Sequence, residues 1–474
     1  MPATPPSTPF AAELREAVDA GFPLAVADLS RLVRIPSVSW DGFDPDQVQA
    51  SAEAVRALAA DTGVFEDIDI VQVPIGHTPE GAPGGKLGLP AVIATRAARN
   101  GRPTILLYAH HDVQPPGDDE HWDSVPFEPT LRGDRLYGRG AADDKAGVMA
   151  HIGAIRALVA ACGDDLDVGL VLFAEGEEEF GSRSLPEILR RYRDRLAADV
   201  IVVADSGNWD LDTPALTIAL RGAVAFNLRI TTLAHASHSG MMGGAVPDAP
   251  MAAIELLGTL WKKDGSVAVK GLTSHDEETP KYGEKKLRAE SGLLDGVSPI
   301  GTGDILSRLW YQPSITVTGM DIPNIRNASN TLVPSVRVRI SARVAPGQTA
   351  QEAFAAIEAH LLEHVPFGAE ISIEDLDTGN PFLVDTSGWA AADAVETMGE
   401  AWGAEAVEIG AGGSIPFIAD LVEMFPAAQI LITGVEDPDS RAHSPNESVH
   451  LPTLQRAILS EALLLSRLNA RSGE

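Results

Sequence analysis

Apolar residues recur at helical spacing from Phe10 to Ile35, which predicts one or two helices ending near Pro36. A second helical pattern spans Asp44 to Thr62. From Phe65 to Val73 acidic and apolar residues alternate, as they do in a half-exposed strand. The Gly/Pro-rich stretch Pro74 to Pro90 reads as a hairpin loop or irregular connection. Beyond it the pattern predicts strands at Pro90–Ala94, Ile105–Tyr108, Val168–Ala174 and Val200–Ala204, with helices at Lys145–Ala161 and Leu185–Leu196. Such alternation predicts an α/β fold, a sheet with helices on its faces. Residues 1–9, rich in Pro and Thr, are expected to form a disordered tail.

Composition narrows the possibilities. With 474 residues, 45% of them hydrophobic, the chain can bury a large core and is expected to form two domains or more. A net charge of −31 leaves no basic footprint, so nucleic acid and anionic membranes are not expected partners. The charge is otherwise read as a solvated acidic surface. The single cysteine, Cys162, excludes an intrachain disulfide framework and any Cys-based zinc site, and it is expected to fill core. The N-terminus lacks the basic-then-apolar order of a secretory signal, and no window is expected to reach the length of a membrane span. A cytoplasmic location is the expectation.

Chemistry concentrates between Thr104 and Gly147. The apolar run Ile105–Tyr108 is expected to deliver His110 to a strand end, where α/β proteins keep their sites. His110 and Asp112 share a face of extended chain, so one of the pair can hold a metal while the other orients it. Asp143 falls between a Gly-containing turn and a helix, a position that suits a metal ligand, although a plain helix cap is the commoner role of an Asp there. After the next strand comes Glu175-Gly-Glu177-Glu178-Glu179-Phe-Gly-Ser, whose carboxylates repel one another unless cations or protons compensate them. Of Glu178 and Glu179, one can coordinate a metal while its neighbour takes a proton from water. A solvated acidic turn is the plainer alternative. The strand Ile201-Val-Val-Ala then ends in Asp205, so successive units place acids and a histidine along one expected sheet edge.

The ordered segments Ala109-His110-His111-Asp112-Val-Gln-Pro, Tyr137-Gly-Arg-Gly-Ala-Ala-Asp143-Asp-Lys, Glu175-Gly-Glu-Glu178-Glu179-Phe-Gly-Ser and Asp205 resemble the motif set of the M20 zinc peptidases. Further motifs follow in family order: His238-Ser-Gly, Thr331-Leu-Val-Pro with Arg343, Gly412-Gly-Ser414-Ile-Pro, and Ala442-His443-Ser-Pro-Asn-Glu447. The resemblance implies two divalent ions per subunit, zinc first, with manganese and cobalt suited to the same ligands. It assigns His110 and Asp205 to one ion, Glu179 and His443 to the other, and Asp143 as the bridge. Asp112 would orient His110, and Glu178 would be the general base.

The same resemblance implies a zinc-peptidase catalytic domain with a mixed sheet flanked by helices, made of residues 10–217 and 379–474. Residues 218–378 would form an inserted α/β lid that also carries the contacts of a homodimer. His238 would polarise the scissile carbonyl, often reaching the partner subunit's site, and Arg343 would bind a substrate carboxylate. Thr331 and Ser414 complete the expected substrate contacts. The polar stretch Gly265 to Gly303 lengthens the insert, as in the carnosinase-like dipeptidase branch. Two departures stand out: Gly410-Ala411 replaces that branch's usual Arg-Glu, and His111 takes a position usually apolar in the family, where it is expected to be a spectator. The implied activity is hydrolysis of dipeptides or other short peptides by a two-metal activated water, with N-acyl-amino-acid deacylation on the same site as the alternative.

Overall fold

In the computed structural model, residues 8–76, 85–412 and 416–471 are described, so most of the expected N-terminal tail, part of the Pro74–Pro90 connection and Ser414 lie outside the described residues. Thr8 is already held: its hydroxyl donates to Glu400 and accepts from Arg467. The chain divides into two compact units. The first takes in residues up to Ile218, Val384–Ile409 and those from Asp420 onward; the second takes in Ala219–Leu383 and Gly410–Ala419.

The first unit is built on a mixed sheet. Its strands lie in the order Asp67–Val71, Ala91–Arg96, Gly169–Glu175, Thr104–His110, Val200–Val203, Gln429–Ile432 and Ala215–Leu220. The central four run parallel, and antiparallel neighbours flank them on each side. Parallel strands covered on both faces need apolar side chains at every position, and Gly169–Glu175 is buried throughout. Asp67–Val71, at the edge, keeps the half-exposed alternation its sequence predicts.

Helices cover the sheet. Ala11–Val33 is one helix that continues through Pro23, and Pro45–Asp61 starts at the N-cap Asp44, whose carboxylate accepts the Asp46 amide. The expected helix Leu185–Leu196 is two, Leu185–Arg191 and Arg193–Leu196, broken at Tyr192. One expectation fails outright. Lys145–Cys162 is 18 residues long with a mean hydropathy of 1.3, enough by length and composition to cross a membrane. Its apolar character has a different cause: it packs against Ala11–Val33 and the C-terminal helix Leu451–Ala470 and is 72% buried, and a core helix is apolar over most of its surface. Cys162, near its end, is buried, and burial pushes its thiol up to about 11.

In the second unit four antiparallel strands lie in the order Ser314–Asp321, Ser335–Val344, Gly222–Thr231 and Glu370–Gly379. Gly222–Thr231 and Ser335–Val344 alternate buried and half-buried residues along their whole length. Their buried faces meet the helices Ala249–Gly258 and Ala350–Glu363, with Phe226 edge-on to Phe354 at 5.8 Å.

Candidate active site

Parallel register brings the first unit's chemistry to one edge. His110 ends its strand opposite Glu175, and Tyr108 lies opposite Val203, so the Glu178–Glu179 turn and Asp205 emerge beside His110. His110 is fully buried. Its Nδ1 faces Asp112, 3.1 Å from the backbone oxygen and 3.5 Å from Oδ1, while Nε2 points to the other carboxylates. Asp112 also accepts the amides of Glu178 at 3.2 Å and Glu179 at 3.1 Å, fixing the acidic turn as well as the imidazole. Two amides from one short turn on one carboxylate hold that turn in place.

Asp143 and His443 are separated by 300 positions and meet through a small three-stranded sheet. Ser448–His450 pairs with Arg135–Tyr137, so the chain after His443 lies beside the chain before Asp143. Glu447 completes the clasp: its buried carboxylate accepts the amides of Gly140, Ala142 and Asp143 and an Arg139 N–H. Asp143 does not cap the helix that follows. The N-cap residue is Asp144, which makes no side-chain cap bond, and the peptide bond between the two is cis. The first helical turn comes close to the Val200–Val203 strand because Gly147 has no side chain; a Cβ there would fall 2.4 Å from the Ala204 carbonyl oxygen.

Two overlapping trios of ligand atoms result, His110–Asp143–Asp205 and Asp143–Glu179–His443, each with its atoms within 4.8 Å of one another. Asp143 Oδ1 lies 3.0 Å from His110 Nε2, and Oδ2 lies 2.9 Å from His443 Nε2. His443 Nε2 is 3.1 Å from Glu179 Oε2, and His110 Nε2 is 3.9 Å from both Asp205 and Glu178. Although buried and close to these acids, His110 Nε2 has no hydrogen bond of acceptable geometry. A buried imidazole nitrogen aimed without a hydrogen bond into converging carboxylates is what a divalent metal site looks like in its protein part. His and carboxylate donors in two sets sharing one aspartate fit two such ions.

Electrostatics agree with that donor set. Burial drives the Glu178 carboxyl well above its ordinary range, with Asp205 and Glu179 adding to the effect of burial and His110 opposing it. Burial and the Asp143 charge bring Glu179 to about 7, and burial brings Asp205 to about 6. His443 is raised to about 11 by its contacts with Asp143 and Glu179. Carboxylates crowded at this cost are stabilised by cations.

Further groups at this edge lie outside the expected ligand set. Gln114 donates to Glu179 through its amide N–H at 3.2 Å and its side chain at 2.7 Å, and Trp40 Nε1 donates to the Glu179 carbonyl at 3.0 Å. Neither side chain belongs to a spacing that marks metal chemistry. His111 is buried, 3.0 Å from the Pro90 carbonyl through Nε2, and burial lowers it to about 4, so it is a neutral packed residue outside both trios.

The remaining expected residues lie in the second unit. His238 and Thr331 face each other across a two-stranded ladder. His238 is exposed, and its Nδ1 accepts the Gly240 amide at 3.1 Å, which leaves Nε2 to carry the proton in the neutral ring. Arg343 is opposite Ala223 and Ser314 in the larger sheet, and no hydrogen bond or ion pair among the described residues links it to His238 or Thr331. Gly410, in place of the branch's usual arginine, is packed on Trp310: a Cβ would fall 2.5 Å from the indole.

The fold and this edge define the class. A model of peptidase family M20/M25/M40 matches residues 106–467, and the chain belongs to that family. It is 33% identical over 379 residues to a cysteinylglycine-S-conjugate dipeptidase of Corynebacterium striatum, covering 79% of this chain and 83% of that one. To the human Beta-Ala-His dipeptidase it is 28% identical over 448 residues, 87% of this chain and 85% of the other. The solved structure of the di-peptidase Dug1p from Saccharomyces cerevisiae shares the fold, with a TM-score of 0.80 at 22% identity over 97% of this chain and 99% of that one.

Proposed function

We propose that the protein is a metal-dependent dipeptidase that cleaves unblocked dipeptides and similarly short peptides. The pair of trios sharing Asp143, with Glu178 beside them as a carboxylate outside both, carries the reading. Membership of a peptidase family whose similar relatives are named dipeptidases favours peptides over N-acyl amino acids.

In this reading His110 and Asp205 hold one ion, Glu179 and His443 the other, and Asp143 both. Zinc suits the imidazole and carboxylate donors, with manganese and cobalt as substitutes. When bound, such ions acidify water and polarise a carbonyl. Glu178 takes a proton from the attacking water at its carboxylate and delivers it to the leaving amine. Asp112 keeps Glu178 in place through its amide and keeps His110 turned so that Nε2 faces the acids. His238 offers a proton-bearing Nε2 to the developing oxyanion, and Arg343 offers a planar fork to the substrate carboxylate, with Thr331 and Ser414 as further contacts.

The first unit would be the catalytic domain and the second a lid with dimer contacts; the outward-facing Ile254 and Leu362, 70% and 60% exposed on its two helices, support a homodimer. A lone buried cysteine suits the reducing cytoplasm. The test is turnover of a panel of unblocked dipeptides and N-acyl amino acids, before and after chelation and with zinc or manganese restored. Metal-restored cleavage of the dipeptides is expected. Preference for the N-acyl panel would contradict the reading.

A further inference from the structure

Among the described residues, nearly every acid at this edge has a partner. Asp112 holds two amides and faces His110; Glu447 holds Arg139 and three amides; Glu175 accepts from Tyr108; Glu177 accepts from Arg183 and two amides. Asp144 accepts the His110 amide, and the members of the trios have one another. Glu436 is different: its carboxylate makes no hydrogen bond or ion pair among the described residues. It is half-buried, in a segment tied to the Asp205 edge.

Local backbone explains its place. Beyond the strand Gln429–Ile432 the chain runs on beside the continuation of Val200–Val203, so that Glu436 bridges to Gly207, two positions past Asp205. The Asn208 amide donates to the Glu436 carbonyl at 2.8 Å, and the Glu436 amide to the Ser206 carbonyl at 3.4 Å. Gly434 permits this approach, since a Cβ there would fall 1.6 Å from the Ser206 oxygen. Burial and the charges of Asp143 and Asp205 push the Glu436 carboxyl well above its ordinary range, with Glu447 adding and His443 opposing. Two divalent ions would balance the four acids Asp143, Glu178, Glu179 and Asp205, which leaves Glu436 without a counter-charge of its own.

We infer that Glu436 is a specificity residue that receives the free α-ammonium of the substrate's first residue. The inference rests on the dipeptidase reading and deepens it. An unblocked dipeptide carries a cation next to the scissile bond, whereas an N-acyl amino acid has none there, so an unpartnered carboxylate on the segment that bridges to Gly207, two positions past Asp205, favours the former and disfavours the latter. A charge-assisted hydrogen bond in a partly desolvated setting is strong enough to discriminate.

The test is binding, to the metal-loaded enzyme, of a phosphinic pseudodipeptide with a free α-amine and of its des-amino counterpart. The native chain, E436Q and E436D are compared, and the metal content of each is measured. The native enzyme is expected to prefer the amine by about tenfold or more. In E436Q that ratio falls close to one at unchanged metal content, and E436D retains part of it. A ratio that survives in E436Q overturns the inference, as does a native enzyme that binds both compounds equally. Loss of both affinities together with loss of metal would make Glu436 a support of the metal centre and also overturn it. Dipeptide turnover by the native enzyme, measured alongside, separates the readings: its absence counts against the dipeptidase function, whereas turnover with an unchanged ratio counts against Glu436 alone.

Discussion

The two trios share Asp143 and differ in almost everything else. His110–Asp143–Asp205 stands on the ends of adjacent parallel strands, with an imidazole that is fully buried and backed by Asp112. Asp143–Glu179–His443 depends on a loop: the His443 side chain is 58% exposed, and its backbone takes the left-handed conformation at φ 61°. The first trio is thus set by the sheet, and the second by the clasp that Glu447 and the Ser448–His450 pairing maintain. An ion held on the strand side should be the more tightly retained, and the loop-side ion should exchange first.

The largest expected effect falls on Glu178, which approaches the strand-side trio without belonging to it. Glu178→Gln should lower kcat by roughly a thousandfold, within the range of general-base losses, while both ions stay bound. Metal analysis alongside kinetics checks this; loss of an ion would make Glu178 a ligand and blur the division between the trios. Next comes His443→Ala. It should reduce the bound ions from two to one and cost several kcal/mol of barrier, roughly a hundredfold or more in rate. Graded chelation of the native protein should reach the same one-ion state first. If Asp205→Ala gives up its ion more readily than His443→Ala does, the proposed order of retention is reversed.

The smallest effect concerns stability behind the strand-side trio. His111 is lowered to about 4 from its ordinary 6.5, so the folded state keeps it neutral where the unfolded chain binds a proton. Its contribution is therefore fully present above pH 6.5 and is lost as pH falls from there toward 4, up to about 3 kcal/mol. Chemical denaturation of the native chain and His111→Gln at pH 7.5 and 4.5 should show the gap between them narrowing in acid. A gap independent of pH would mean that His111 is not the buried neutral group described here.

Much of this organisation is legible in the sequence because its signals are local. Continuous apolar runs mark the parallel strands, and acids and histidines directly after those runs mark the edge they share. What is not legible depends on approach between distant segments. The Glu447 clasp joins positions 305 apart at Ala142, Asp112 reaches the amides of a turn from another strand, and Gln114 supports Glu179 without belonging to any metal-like spacing. The need for a glycine at 434 depends on the Ser206 carbonyl pressed against it from another segment. At Lys145–Cys162 the sequence shows a helical pattern, and the length and apolar character of that helix reflect packing against other helices rather than a membrane.

The most direct test of the central claim is a crystal structure of the metal-loaded protein with anomalous scattering recorded at the absorption edge of the added ion. Two peaks are predicted, one among His110, Asp143 and Asp205 and one among Asp143, Glu179 and His443, with Asp143 touching both and the loop-side peak the weaker at limiting metal. A single ion, or a pair that does not share Asp143, would contradict the account.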